Sequence, residues 1–355
     1  WYTSYGVNRF RNTDSNFYPS TVRRGFNSNG FARFRARNYE NTNFQTRLNY
    51  YQRIKKHSFN ATAVFEARTQ DVNLQTFGAS NLEEQSLGLF DLSSASQSEF
   101  PVNILQENNA ASYLARVGYT YADKYMLTAS FRADADSRFG SNNKWGYFPS
   151  VALGWVASDE KFMKDLNAFD LFKLRLSYGE TGNSQIPTYQ SLARLNTQRY
   201  IFGDALAVGQ VPGSVPNPDL RWEITSQYNV GLDLAFLNDR VSVTADAYYK
   251  ETNDLLLDVQ LPLTSGFNSA VKNIGSISNK GFELALSTIN IDTEDFRWNT
   301  TFTFSTNRTK VLDLGERDEM FFSRVFNYNL RDEIVLRVGE EVGTFVGYIE
   351  DEVLN

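Results

Sequence analysis

Between Arg221 and Lys250 the chain reads RWEITSQYNVGLDLAFLNDRVSVTADAYYK, and its polarity alternates along two successive stretches. Trp222, Ile224, Tyr228, Val230, Leu232, Leu234 and Phe236 share one parity, whereas Arg221, Glu223, Gln227, Asn229 and Asp233 share the other. After a tight turn at Leu237-Asn238-Asp239-Arg240, the residues Val241, Val243, Ala245, Ala247 and Tyr249 oppose Ser242, Thr244, Asp246 and Lys250. Side chains alternate across an extended strand, so this is a hairpin with one apolar face and one polar, charged face.

Two folds accept such a hairpin. A soluble sandwich turns the apolar face into a core; an outer-membrane barrel turns it to lipid and lines a wet lumen with the other. The strands are about ten residues or longer, enough to cross a bilayer when tilted. Aromatics sit near strand ends, as at Trp222, Tyr228, Phe236 and Tyr249, where interface girdles place them. The same pattern recurs before and after this hairpin. Phe34, Ala36, Phe44, Thr46, Leu48 and Tyr50 oppose Arg33, Arg35, Arg37 and Arg47 in one long strand over 32–51, with Glu40 breaking parity above the membrane. Phe59 to Ala67, Tyr113 to Tyr121, Tyr125 to Ala133, Val151 to Trp155, Phe172 to Tyr178, Phe282 to Leu286 and Trp298 to Phe304 repeat it. Trp1 to Phe10 reads as a weak strand and Arg11 to Gly30 as a loop.

Short turns alternate with long segments at about 69–111, 180–221 and 251–277, all on one side. That is the rhythm of a barrel with short periplasmic turns and long outer loops, and loops of this length are unusual inside a compact soluble domain. Charges within strands keep to the polar parity, as an arginine at the bilayer midplane costs roughly 2–4 kcal/mol. Arg116, Arg132, Asp134, Arg175, Asn229, Asp233 and Asp246 are therefore expected to face the lumen. Leu127, Phe131, Trp222, Val230, Leu232, Leu234, Val241 and Val243 are expected to face lipid. The fold class is all-β, a transmembrane antiparallel β-barrel, with the whole of 1–355 as part of its barrel domain.

Composition narrows the function classes. The formal net charge of −6 argues against a nucleic-acid footprint. Without cysteine, disulfide scaffolds, cysteine-type zinc and thiol chemistry are excluded. No apolar run reaches the length of a transmembrane helix, which says nothing against a barrel. The chain opens on Trp1 in what reads as mid-strand, as a segment of a longer chain would. No nucleophile, metal cluster or phosphate loop stands out, so neither an enzyme nor a bound cofactor is expected. His57 beside Lys55 and Lys56 reads as an exposed turn residue, and Asp134-Ala135-Asp136 with Gly140 lacks the third acid and the sixth-position Gly of a calcium loop. Arg33, Arg35 and Arg37 either draw an anionic substrate or lipopolysaccharide, or simply line a wet wall.

Several motifs carry a family resemblance. They are Lys124-Tyr125-Met126-Leu127-Thr128-Ala129-Ser130-Phe131-Arg132, Ser137-Arg138-Phe139-Gly140, and Asn143-Lys144-Trp145-Gly146-Tyr147-Phe148-Pro149-Ser150. Leu174 to Gly179 with Thr181-Gly182-Asn183 follows, then Asn217-Pro218-Asp219-Leu220-Arg221-Trp222-Glu223 and Asn273-Ile274-Gly275 with Ile277 to Glu283. In order and spacing over about 113–310 they resemble the SusC/RagA family of TonB-linked outer-membrane proteins. Ala135-Asp136 departs from the Gly-Ser usual there. The resemblance implies a 22-stranded barrel filled by an N-terminal plug, of which this segment supplies roughly eleven middle strands. The plug and TonB box would lie outside it. It implies a SusD-like lipoprotein lid, dimerisation of the pair, coupling to TonB-ExbB-ExbD, and TonB-dependent import of oligosaccharides or peptides across a bacterial outer membrane. Tyr189, Tyr200, Phe202 and Phe267 are candidate ligand-binding loop aromatics, or else pack their own loops. Two other classes stay open: a TonB-dependent receptor for a metal chelate or cofactor, and a soluble all-β glycan-binding module.

Overall fold

Alternating sequence becomes strand almost throughout. The computed structural model describes residues 1–203, 205–322 and 334–347. The strands, in chain order, are β1 (Tyr2–Tyr18), β2 (Phe31–Ile54), β3 (His57–Leu82), β4 (Ala95–Ser98), β5 (Val102–Tyr121), β6 (Tyr125–Asp136), β7 (Trp145–Val156), β8 (Leu171–Asn183), β9 (Leu195–Phe202) and β10 (Ala205–Pro212). They continue with β11 (Glu223–Phe236), β12 (Val241–Asn253), β13 (Leu256–Gln260), β14 (Ser269–Asn273), β15 (Ser276–Asp292), β16 (Arg297–Asp313), β17 (Glu319–Phe322), β18 (Ile334–Arg337) and β19 (Thr344–Phe345). Among the described residues two short α-helices, α1 (Arg23–Phe26) and α2 (Lys161–Leu166), interrupt them.

The chain forms two compact units, one of Trp1–Arg47 with Val64–Ser112, the other of Leu48–Ala63 with the chain from Tyr113 onward. In the first, β1 pairs antiparallel with β2 from Tyr2↔Arg47 to Tyr18↔Phe31, and β4 pairs with β3. Glu40, the charge that breaks parity, lies opposite Arg9 and accepts from it at 2.8 and 2.9 Å. In the second unit, long strands follow one another as an antiparallel meander, in the order β6-β7-β8-β11-β12-β15-β16.

The register aligns the apolar parity into rows. Leu127, Leu153, Leu176, Val230, Ala247 and Phe282 lie on consecutive partners from β6 to β15. Tyr125, Trp155, Leu174, Leu232, Ala245, Leu284 and Phe304 form the next row, extending to β16. Leu127, Leu153, Leu176, Val230 and Phe282 are exposed. A soluble fold would cover such a face, since contiguous apolar area this extensive marks an interaction surface.

Strands run further than periodicity suggested. Segment 69–111 was expected to be loop, yet β3 continues to Leu82 and β5 starts at Val102. Likewise β1 extends to Tyr18 across part of the expected 11–30 loop, and β8 and β12 continue to Asn183 and Asn253. Segments 180–221 and 251–277 each contain a hairpin, β9–β10 and β13–β14 respectively. The reason is the backbone ladder: cross-strand pairing continues where side chains of mixed polarity line both faces, so strand persists without strict alternation. His57 is a second correction. It is half-buried, hydrogen-bonded through Nδ1 to Tyr119 Oη at 2.8 Å and packed with Phe59 and Tyr121.

Candidate functional site

On the face opposite the apolar rows, the polar parity of β8, β11 and β12 assembles a charge cluster. Arg175, Gly231 and Asp246 are direct cross-strand partners. Arg175 Nε and Nη2 donate to Asp233 at 2.9 Å each, and Nη1 and Nη2 donate to Asp246 at 3.0 and 2.9 Å. Asn229 Nδ2 adds a bond to Asp246 Oδ1 at 3.1 Å. The guanidinium thus forks to two carboxylates on one neighbouring strand and the next, the bidentate geometry that arginine provides and lysine does not. It crosses β11 at Gly231, where a Cβ would stand 2.6 Å from Arg175 Cζ and 2.5 Å from Asp246 Oδ1. Four of the seven residues expected to face the lumen are therefore one assembly, with one positive and two negative charges.

The other three lie elsewhere. Arg132 donates through Nε to Asp134 at 2.7 and 2.9 Å, two residues along the same face of β6. Arg116 on β5 is exposed. Hydroxyl and amide pairs fill the gaps: Ser130 with Ser150 at 2.6 Å, Thr225 with Thr252 at 2.8 Å, and Asn279 with Thr309 at 2.6 Å. In the first unit, Arg33 pairs with Glu99 at 2.8 Å, and Arg37 donates to Tyr39 Oη at 3.0 Å.

At the long-loop end of the second unit, the quoted motifs dock on one another. Phe139, Phe148, Ile186, Leu220 and Trp222 form a buried cluster, with Ile224, Leu256 and Val271 against it. Trp222 is here, and this corrects its expected lipid-facing place. It precedes β11, so the period-two rule no longer governs it. It is 8 % exposed, packs on Phe139 and Phe148 at 4.7 and 5.5 Å between centroids, and donates from Nε1 to Lys144 O at 3.1 Å. Gly140 closes the contact: its N–H donates to Leu220 O at 2.9 Å, and a Cβ there would collide with the Pro218 carbonyl.

Polar clasps surround this hub. Asp136, 2 % exposed, holds Arg138 through Nε at 2.9 Å and Nη2 at 2.6 Å and accepts the Arg138 backbone N–H at 3.0 Å. Arg138 reaches on to Ser184 Oγ at 2.8 Å. Asn142 donates to Asp219 at 2.8 Å, Asn217 to Val271 O at 3.2 Å, and Asn273 to Arg221 O at 2.7 Å. Arg221 pairs with Asp254 at 2.6 Å, and that carboxylate holds the guanidinium protonated beyond its ordinary range. Asp134 and Asp136, the fragment of a calcium loop, are each engaged by an arginine.

Of the candidate loop aromatics, Tyr200 and Phe202 stand on β9, 67 and 72 % exposed, with rings 5.2 Å apart in a T-shaped contact. Leu195, Ile201, Leu206 and Val208 on the same hairpin are exposed as well. Tyr189 is half-buried at φ 68°, and Phe267 is half-buried behind Ser265. Tyr200 and Phe202 thus share one hairpin, whereas Tyr189 precedes β9 and Phe267 lies between β13 and β14. Of the residues expected to face lipid, Leu127, Phe131 and Val230 are exposed on the apolar face, and Leu232, Leu234, Val241 and Val243 are half-buried there. Sequence reasoning missed the hub and Gly231. The available signal was apolar residues set inside polar loops, such as Phe139, Ile186 and Leu220.

A family described as TonB dependent receptor-like, beta-barrel matches residues 1–332. TonB-dependent receptor P3 of Formosa agariphila is 33 % identical over 98 % of this chain and 35 % of its own length. TonB-dependent receptor SusC of Bacteroides thetaiotaomicron is 37 % identical over 60 % of this chain and 22 % of its own. The solved RagAB peptide transporter superposes with a TM-score of 0.82 at 27 % identity, covering 97 % of this chain and 37 % of that one. The chain thus spans about a third of the length of the first relatives it matches.

Proposed function

We propose a nutrient importer, from the premise that this chain belongs to the TonB dependent receptor-like, beta-barrel family of the outer membrane. The full-length protein takes up oligosaccharides or peptides, acting with a SusD-like surface lipoprotein as lid. TonB-ExbB-ExbD supplies the energy, and the two-protein complex dimerises. One observation carries the reading: the strands present exposed apolar rows on one face and braced charges on the other, while the long loops condense into a hub at one end.

In this reading the apolar rows face lipid and the Arg175 cluster faces the transport path. Arg175 is engaged by both carboxylates, and the cluster keeps one excess negative charge, so it offers a hydrated wall without a free cation. The hub holds the loop bases still, and the β9–β10 hairpin projects from it. An isolated two-stranded hairpin is marginal in water, and this one exposes apolar side chains on both faces, which suits it to meet a lid or cargo. The likeness to SusC and to the RagAB peptide transporter supports the lidded class.

Purification of the full-length protein from native outer membranes in mild detergent, with mass spectrometry of what accompanies it, tests this. A stoichiometric lipoprotein is expected. A lone barrel carrying a metal chelate or cofactor would contradict it.

A further inference from the structure

The connection between β7 and β8 is unlike the other short-side connections. Two to four residues join β2 to β3, β5 to β6, β11 to β12 and β15 to β16, whereas residues 157–170 intervene here and carry α2. On the apolar parity, that same end of the second unit carries a band of rings. His57 and Tyr121 lie 5.0 Å apart, Phe59 and Tyr119 4.9 Å, and Tyr121 and Tyr125 6.3 Å. Phe169 meets Phe172 at 5.4 Å and Phe236 at 6.5 Å. Aromatic girdles of this kind mark the headgroup level of a membrane.

The segment bearing α2 is fastened to this band at both ends. Glu160, just before the helix, accepts from Tyr125 Oη at 2.7 Å and from Lys124 Nζ at 3.2 Å. Phe169, just after it, packs on Phe172 and Phe236. Asp170 secures the exit, its N–H donating to Ala235 O at 2.8 Å and its carboxylate accepting from Asp239 N at 2.9 Å. Tyr125 at one end and Phe172 and Phe236 at the other lie on the apolar parity, so the helix is held to that side. Between them Phe162 and Leu166 are 58 and 64 % exposed. Four residues apart, they share one helix face, and exposed Lys161 and Lys164, the latter paired with Asp159 at 3.2 Å, flank them.

We propose that α2 is an interfacial helix seated in the periplasmic leaflet, with Phe162 and Leu166 among the acyl chains and Lys161 and Lys164 at the phosphates. The inference rests on the apolar rows facing lipid. Continuity with those rows selects lipid as the occupant, and a single turn and a half with two large apolar side chains is too small for a stable protein interface, which takes about 20–30 residues a side. Amphipathic helices with basic flanks lie in this layer. The helix fixes the depth of the strand ends on the side from which the barrel would be pulled.

The test uses the full-length protein in phospholipid vesicles, with a nitroxide on a single introduced cysteine at Phe162→Cys, Leu166→Cys, Asp165→Cys or Val230→Cys; this segment has no native cysteine. Collision with oxygen reports lipid, and collision with a water-soluble nickel complex reports solvent. Oxygen should dominate at 162 and 166 as at 230, with the ratio reversed at 165. Nickel dominance at 162 and 166 while 230 stays oxygen-dominated would overturn the proposal alone, as would exclusion of both probes, which signals burial by protein. Nickel dominance at 230 would overturn the lipid-face reading and the proposal with it.

Discussion

Replacing Trp222 with alanine separates two accounts of the same residue. If Trp222 faced lipid, its loss would leave the loops unchanged. Buried in the hub, it holds residues 139–148 against 217–222. A tryptophan truncated to alanine in a packed cluster costs about 3–5 kcal/mol, here including the Nε1 bond to Lys144 O. Each 1.4 kcal/mol is a factor of about ten, so the open population of the hub rises by roughly two to three and a half orders of magnitude. The strands bear none of this, because the cluster joins loops and strand ends. Hydrogen exchange reads it directly. The N–H of Gly140 is bonded to Leu220 O, that of Asn142 to Pro218 O, and that of Arg221 to Asn273 Oδ1. Exchange at these three amides should accelerate by about the same factor while β11 amides keep their rates. Trp222→Phe keeps a ring and loses one hydrogen bond, worth about 1 kcal/mol, so it should accelerate them less than tenfold beyond the loss of ring area. A change below about threefold at Gly140 and Asn142 in Trp222→Ala would refute the hub.

Other consequences follow from single contacts. Gly231→Val pushes Arg175 off Asp233 and Asp246; discounted for partial exposure, the loss is about 1–3 kcal/mol. It should lower the temperature at which the folded band shifts in SDS electrophoresis, whereas Gly6→Val, with nothing within 4 Å of its added Cβ, should not. Asp136→Ser strands the Arg138 guanidinium in the hub, and proteolysis within residues 184–194 should quicken at least tenfold. Glu160 is held below the usual carboxylate range, by the Tyr125 hydroxyl first and the Lys124 ammonium second. Its folded pKa being depressed, the fastening of α2 is complete above the ordinary glutamate value of about 4.3 and is lost as pH falls through the lowered one. A spin label on Lys161→Cys should gain mobility over that acidic interval, and Glu160→Gln should remove the transition.

The strands and their two faces were legible because period two survives wherever lipid or a partner strand demands it. Val230, Leu232 and Leu234 could be assigned a face from parity alone, and Arg175, Asp233 and Asp246 fell on the opposite one. Their union was not legible, since it depends on register between strands far apart in sequence and on the missing side chain of Gly231. Beyond the bilayer the rule weakens. Residues 69–82 are strand although polar side chains interrupt both faces, and Trp222 shares the parity of Leu232 while lying outside the strand altogether. The hub was hidden for a related reason: Phe139, Ile186 and Leu220 belong to three loops, and only their docking makes them a core. Asp136, read as a departure from the family pattern, turned out to have its own partner in Arg138.

The account stands on which face of the strands meets lipid, and a pair of charges placed three strand positions apart, on opposite faces, decides it. Leu232 lies on the apolar row and Asn229 beside Asp246 on the polar one. An arginine at a lipid-facing midplane position costs about 2–4 kcal/mol, while at 229 it would join a cluster with one excess negative charge. Insertion of full-length Leu232→Arg and Asn229→Arg into outer membranes, scored by the heat-shifted band, is the direct measurement. The account predicts that Leu232→Arg fails to assemble and Asn229→Arg assembles; equal assembly of both, or failure of only Asn229→Arg, would contradict it.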